Sequence, residues 1–362
     1  MEYRQLGRAG VRVSALCLGA MNFGGRTSKE DGIKITHAAL DAGVNFIDTA
    51  NVYTGGRSEE IVGAALKGRR DDVVLATKVF SPIGQGINDR GTSRFAIMRE
   101  VERSLTRLKT NHIDLYQLHR ADLFAPPEET FSALNDLVHQ GKVRYIGVST
   151  FPAWQTAQAQ GLCARNGWVP ISTEQPPYSM VEREVEKELV PCCRAHGIGI
   201  LPWSPLGGGL LSDKFVGGKQ PKDTRVGAWP IDQVHWRDTR KAVDKLAKLA
   251  DRHGTTLSRF ALAWVRDADG VTSPIIGPRT MAQLKDALAS TEVTLDAKAR
   301  EAVDEIVAPQ TSLWMKARVQ DWARGLARPG AQPARKPTGK KRPTAKKRIR
   351  SRKAAKRPAR KR

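Results

Sequence analysis

Cysteine is scarce in this chain. Cys17, Cys163, Cys192 and Cys193 form neither a CxxC pair nor a zinc-ligand spacing, and adjacent Cys192 and Cys193 are poor partners for each other. A disulfide framework and a zinc ribbon are excluded as organising devices, and reduced thiols in a cytoplasm are expected. Also missing is any run of the ~18 apolar residues that a membrane-spanning helix requires. The opening MEYRQLGRAG is polar and lacks an apolar core, so no secretory signal is expected. Acid is absent from one place. Arg335–Arg362 holds sixteen Lys or Arg and no Asp or Glu. That segment supplies most of the +23 net charge, and the preceding 334 residues carry only +7.

What is present is a long alternation. With 362 residues, 40% of them hydrophobic, the chain can bury a large core. Apolar, β-branched runs read as strands at 13–21, 45–50, 73–79, 113–119, 143–149, 171–175, 198–204 and 273–277. Between them, three- to four-residue apolar spacing predicts helices over 31–42, 57–67, 93–108, 128–140, 152–164, 182–196, 238–253 and 280–289. Gly43, Gly141 and Gly197 stand where helices should stop. Eight β-then-α units argue for an α/β fold of the (β/α)8 TIM barrel type. The rival doubly wound sheet needs a GxGxxG turn after an early strand. LGAMNFGG (18–25) does not match, and the GGG of 207–209 follows the seventh strand instead. The opening residues read as an N-terminal β-hairpin plugging one end of the barrel. Two further helices are expected at 296–307 and 311–327. The barrel with its C-terminal helices is expected to occupy 1–328, and a basic tail 329–362.

In such a barrel the carboxyl ends of the strands converge on one face, where catalytic groups collect. Asp48 ends the second strand, Tyr53 follows it, Lys78 ends the third and His119 the fourth. Taken singly, these are a turn residue, a packed phenol, a solvated cation and a core imidazole. At adjacent strand ends they become one chemistry. A phenol with an ordinary pKa near ~10 exchanges protons poorly at neutrality, and a neighbouring ammonium lowers that value. Lys78 can play that part, Asp48 can hold Lys78 charged, and His119 can orient a substrate oxygen. The set suits carbonyl reduction beside a hydride source.

At these residues the sequence resembles the aldo-keto reductase superfamily, including its potassium channel beta subunits. The match is collinear over roughly 1–308 and runs through YRQLGRAGVRVSALCLGAMNFG, DTANVY, ATKV, DLYQLHR, YIGVST, EQPPYS, PWSPLGGGLL and PIIGPRTMAQLKDAL. The resemblance implies Asp48, Tyr53, Lys78 and His119 as a catalytic tetrad with Tyr53 the proton donor. It implies an extended NADP(H) across the strand ends and no metal. Ser149 and Gln175 match the pair that holds the nicotinamide carboxamide, and Trp203 the aromatic that stacks on its ring. Leu206, Gly208 and Leu210 fall on the loop over the pyrophosphate. Arg279, Gln283 and Asp286 fall at the adenosine end. An Arg at 279 suits a dianionic 2′-phosphate and favours NADP over NAD. Two positions depart from the family's habit: Thr150 and Ala287 both stand where Asn is common.

Trp154, Trp229 and Trp236 read as core or pocket wall, and the Gly-rich stretch 207–236 as a long loop near cofactor or substrate. Composition marks 329–362 as disordered. It is suited to DNA, RNA or another polyanion, and no aromatic interleaves its charges to stack on bases. Three function classes are expected to be separable. One is a cytoplasmic NADPH-dependent reductase of a small aldehyde or ketone. Another is a cofactor-sensing module with slow turnover. The last is a nucleic-acid-tethered, nucleoid-associated protein whose barrel is secondary.

Overall fold

The computed structural model describes residues 1–218 and 233–314. The expectations for Trp229, for most of 219–236, for 315–327 and for the tail 329–362 lie outside the described residues. Among those described, a hairpin of β1 (Tyr3–Gln5) and β2 (Arg12–Ser14) precedes eight parallel strands. These are β3 (Cys17–Gly19), β4 (Phe46–Asp48), β5 (Val74–Val79), β6 (Ile113–Leu118), β7 (Val143–Ser149), β8 (Ile171–Gln175), β9 (Gly199–Ile200) and β10 (Ile275–Ile276). Neighbours pair in the order β10-β3-β4-β5-β6-β7-β8-β9. The ends of that row are drawn together by Ile275 N–H donating to the Pro202 carbonyl (2.8 Å) and Thr272 N–H to that of Ile200 (2.9 Å). The result is the (β/α)8 barrel that the alternation predicts. Every residue of β5 and β6 is buried, as expected of parallel strands covered on both faces.

The helices are α1 (Lys29–Asp41), α2 (Arg57–Ala65), α3 (Arg94–Leu108), α4 (Pro127–His139), α5 (Ala153–Asn166), α6 (Leu189–His196), α7 (Gln233–Arg252), α8 (Leu257–Arg266), α9 (Met281–Ala289) and α10 (Ala297–Ile306). Ser28, Ser93, Thr256, Thr280 and Asp296 cap α1, α3, α8, α9 and α10 by accepting a first-turn N–H. Three differences from the sequence reading have local causes. The helix expected from residue 182 begins only at Leu189. Pro191 then falls in the first turn, where its missing N–H forfeits nothing; a helix from 182 would place it in the interior. Helix α8 was not anticipated, although Thr256 before LSRFALAWVR is a start signal. Residues 311–314 are not helical: Ser312 bridges Glu182, and Leu313 N–H donates to the Val181 carbonyl at 3.0 Å. Among the described residues no helix is long and apolar enough to cross a membrane.

The hairpin plugs the amino end of the barrel. Leu6 and Val13 are fully buried against Cys17, Phe46 and Val74, the first residues of three strands. Gly7 makes this seat possible, with φ +56° and a virtual Cβ only 2.3 Å from the Ser172 carbonyl oxygen and 2.7 Å from Gly199 N. Both obstacles are backbone. Gly7→Ala is therefore expected to cost about 2–4 kcal/mol of stability, from overpacking plus left-handed strain. The check is the denaturant midpoint, and a loss below ~1 kcal/mol would show that the plug yields.

Candidate active site

Side chains alternate along a strand, so every second residue faces the barrel axis. Lys78 on β5 pairs in register with Gln117 on β6, and Ser149 on β7 with Gln175 on β8. His119 lies two residues beyond Gln117, on the same parity. One face of four adjacent strand ends thus delivers Lys78, Gln117 and His119, Ser149 and Gln175.

Lys78 is 0% exposed. A buried ammonium is costly unless all three donors are matched, and here they are. Its Nζ donates to Asp48 Oδ1 (2.5 Å), the Thr49 carbonyl (2.8 Å) and Tyr53 Oη (3.3 Å). Burial works against the charge, but the Asp48 carboxylate and Tyr53 outweigh it and hold Lys78 above the usual lysine range. Asp48 is itself anchored. Its Oδ2 accepts from Gln117 Nε2 (3.0 Å) and Gln175 Nε2 (2.9 Å), and Gln175 also donates to Gln117 Oε1 (3.0 Å). Gln117 was missed in the sequence; its parity with His119 is the signal that marks it.

Tyr53 is half-buried on a tight turn, Tyr53–Gly56, after β4. The turn is held from outside the barrel. Thr54 adopts φ 51° and donates to the Phe23 carbonyl (3.0 Å). Fully buried Glu59 accepts from Thr77 Oγ1 and Arg107 Nε, each at 2.6 Å. Arg107, from α3, packs directly beneath Gly56. The His119 ring meets Tyr53 edge-on at 5.7 Å and 81°. Burial, reinforced by the charges of Lys78 and Arg120, pushes His119 well below the ordinary histidine pKa. It is a neutral imidazole, and its buried Nδ1 has no hydrogen-bond partner among the described residues.

The remaining candidates occupy two further places. Ser149 Oγ donates to the Gln175 carbonyl (2.9 Å), and Trp203 Nε1 donates to Thr150 Oγ1 (3.3 Å). Leu206 and Gly208 lie on a turn in which Gly207, Gly208 and Gly209 all have positive φ. Leu210 is 1% exposed, and its N–H donates to the Gly207 carbonyl at 3.3 Å. Arg279 and Gln283 meet at the start of α9, where Gln283 Oε1 accepts the Arg279 N–H at 2.8 Å. Asp286, one turn on, accepts from Ser258 Oγ and Arg259 Nε, each at 2.7 Å. Ala287 is buried. Of the other tryptophans, Trp154 is 63% exposed and so is not core, while Trp236 packs edge-on against Phe215.

The aldo/keto reductase family model matches residues 15–308. An uncharacterized oxidoreductase of Bacillus subtilis, YrpG, is 42% identical over 317 residues, covering 84% of this chain and 96% of that protein. A probable voltage-gated potassium channel subunit beta of Arabidopsis thaliana is 37% identical over 302 residues, covering 81% and 92% respectively. The versiconal hemiacetal acetate reductase of Aspergillus parasiticus is 33% identical over 338 residues, covering 86% and 98%.

Proposed function

The chain belongs to the aldo/keto reductase family, and on that premise we propose that it is an NADPH-dependent reductase of an aldehyde or ketone, run in either direction. The observation that carries this reading is the position of Lys78 Nζ, hydrogen-bonded to both the Asp48 carboxylate and the Tyr53 hydroxyl.

A bound NADPH would supply a hydride to the carbonyl carbon. The chain's own residues handle the oxygen. Neutral His119, edge-on to Tyr53, can donate a ring N–H to the carbonyl and orient it. The Tyr53 hydroxyl gives its proton to that oxygen as charge develops there. The phenolate left behind faces the Lys78 ammonium, which stabilises it until a proton returns from solvent. Asp48 keeps Lys78 charged. In alcohol oxidation the same phenolate accepts the proton.

The nicotinamide end fits Ser149 and Gln175, paired in register beside the Asp48 cluster. The phosphate end fits Arg279 at the N-terminus of α9, where helix N–H groups and a guanidinium favour an anion together. NADPH is expected to bind more tightly than NADH. Arg279→Ala should raise the NADPH Kd about 10- to 100-fold, the loss of one charge-assisted contact, and leave NADH nearly unchanged. Fluorescence titration checks this on the full chain and on a chain ending at residue 328, which separates the barrel from phosphate attraction by the tail. Equal affinity for both nucleotides would remove the NADP assignment. The likeness to potassium channel beta subunits supports a second reading, a cofactor-responsive binding protein. Tight NADPH binding with no turnover across an aldehyde panel would favour it.

A further inference from the structure

Thr150 has an unusual backbone. It is β-branched, yet its φ is +56°, in the left-handed region that disfavours such side chains. The strain persists because the surroundings determine it. Thr150 N–H donates to the Gln175 carbonyl (3.2 Å), and the next N–H, of Phe151, donates to Glu174 Oε1 (3.2 Å). The turn that ends β7 is thus tied to two successive residues of β8.

The side chain that this conformation places is shared between two other strand ends. Thr150 Oγ1 accepts Arg120 Nη1 at 3.0 Å, from the end of β6, and Trp203 Nε1 at 3.3 Å, beyond β9. A hydroxyl has two acceptor lone pairs and one proton. Both acceptors are filled by these N–H groups, and the one proton faces Ser149 Oγ at 3.4 Å. The same Arg120 Nη1 donates to the His119 carbonyl at 2.7 Å. Arg120, Thr150 and Trp203 therefore form a polar clasp across the barrel mouth. It runs from the backbone of His119 to the indole and touches Ser149 on the way. An indole has a single donor, so fixing Nε1 fixes the ring's rotation as well as its place. The second contact on the ring is apolar: Trp314 lies edge-on at 6.2 Å and 72°.

We propose that Thr150 is the positioning residue for Trp203, its strained hydroxyl holding the indole in a fixed orientation before cofactor arrives. This deepens the reading above and rests on it for the identity of the ligand, a nicotinamide dinucleotide. The advantage is preorganisation: an aromatic wall already oriented need not be ordered on binding. Thr in place of Asn at 150 retains an acceptor while reducing the side chain to one that fills the space between Arg120 and Trp203.

The test reads the ligand-free protein first. In a 1H–15N spectrum the Trp203 indole resonance is assigned by its disappearance in Trp203→Phe. Thr150→Val keeps the branched shape and removes the acceptor. It is expected to move the Trp203 Nε1–H resonance and to speed its hydrogen exchange about fivefold. Thr150→Ser, which keeps the hydroxyl, should leave both near the parent values. NADPH affinity is then measured on the same proteins, with an expected rise in Kd of about fivefold in Thr150→Val and no more than twofold in Thr150→Ser. An indole signal unmoved in Thr150→Val overturns the proposal. So does a moved signal with unchanged NADPH affinity, which would make the clasp structural only. If Thr150→Val does not fold, Thr150→Ala takes its place with the same expectations. A parent that binds no NADPH defeats the functional reading instead, and the indole arm still decides whether Thr150 positions Trp203.

Discussion

Tyr53→Phe is expected to lower kcat about 10²- to 10⁴-fold, the range for removing a positioned general acid, with NADPH affinity little changed. The substitution is clean because little else depends on the hydroxyl. The ring keeps its edge contact with His119 at 5.7 Å and its place 4.9 Å from Lys78 Nζ. Lys78 loses its longest hydrogen bond, 3.3 Å, and keeps Asp48 and the Thr49 carbonyl. Stability should fall by no more than about 1 kcal/mol. Lys78→Met is a poorer probe. It would leave Asp48 buried without its cation, and breaking such a pair costs about 3–5 kcal/mol. Steady-state rates on an aldehyde panel, with nucleotide titration alongside, decide the matter. A Tyr53→Phe protein retaining a tenth of parental kcat would remove Tyr53 as the proton donor.

The second large effect concerns stability, and it comes from the face of β8 opposite the site. Glu174 is fully buried with its Oε1 on the Phe151 N–H and its Oε2 without a partner among the described residues. Burial raises its pKa from 4.5 to about 8, against the pull of the Thr150 and Phe151 N–H groups and the Arg120 charge. A neutral carboxylic acid is therefore the resting form at neutrality. The folded protein holds this proton more tightly than the unfolded chain does. Its contribution is complete below the unfolded value near 4.5 and is lost as pH rises through about 8. At 1.36 kcal/mol per pH unit, the loss across that window reaches up to about 5 kcal/mol. Glu174→Gln keeps an oxygen for Phe151 and cannot ionise. It is expected to match the parent within about 1 kcal/mol near pH 5 and to be the more stable protein above pH 8. Denaturant midpoints of the two proteins across that range test it, and curves that stay parallel would show that Glu174 does not hold a proton in the fold. Cys192 and Cys193, whose thiols burial pushes upward, are common to both proteins and do not confuse the result.

Architecture was legible in the chain because its signals are local. Each strand is a short apolar run, each of several helices ends at a Gly, and eight repetitions of one unit leave few ways to bury every face. The polar strand ends were legible for the same reason. Asp48, Lys78 and His119 each interrupt an apolar run where it stops, and strand parity carries Ser149 and Gln175 to the same face. Helix α8 was missed through a start signal left unread, and the late start of α6 follows from Pro191, which is visible in the sequence once its position is weighed.

Other features depend on which segments meet. Gln117 on Asp48, Arg107 on Glu59 under the Tyr53 turn, and the hydroxyl of Thr150 between Arg120 and Trp203 join residues 30 to 69 positions apart. No spacing rule announces such contacts, because a hydrogen bond between strand ends depends on register and closure rather than on sequence distance. The same holds for Glu174. Its carboxyl is unremarkable in the row ISTEQ, and only the packing that removes water from it makes it a neutral acid. Local pattern chose the barrel and its polar strand ends; closure of the barrel chose their partners, their charge states and the strained backbone of Thr150, whose hydroxyl ties strand ends together.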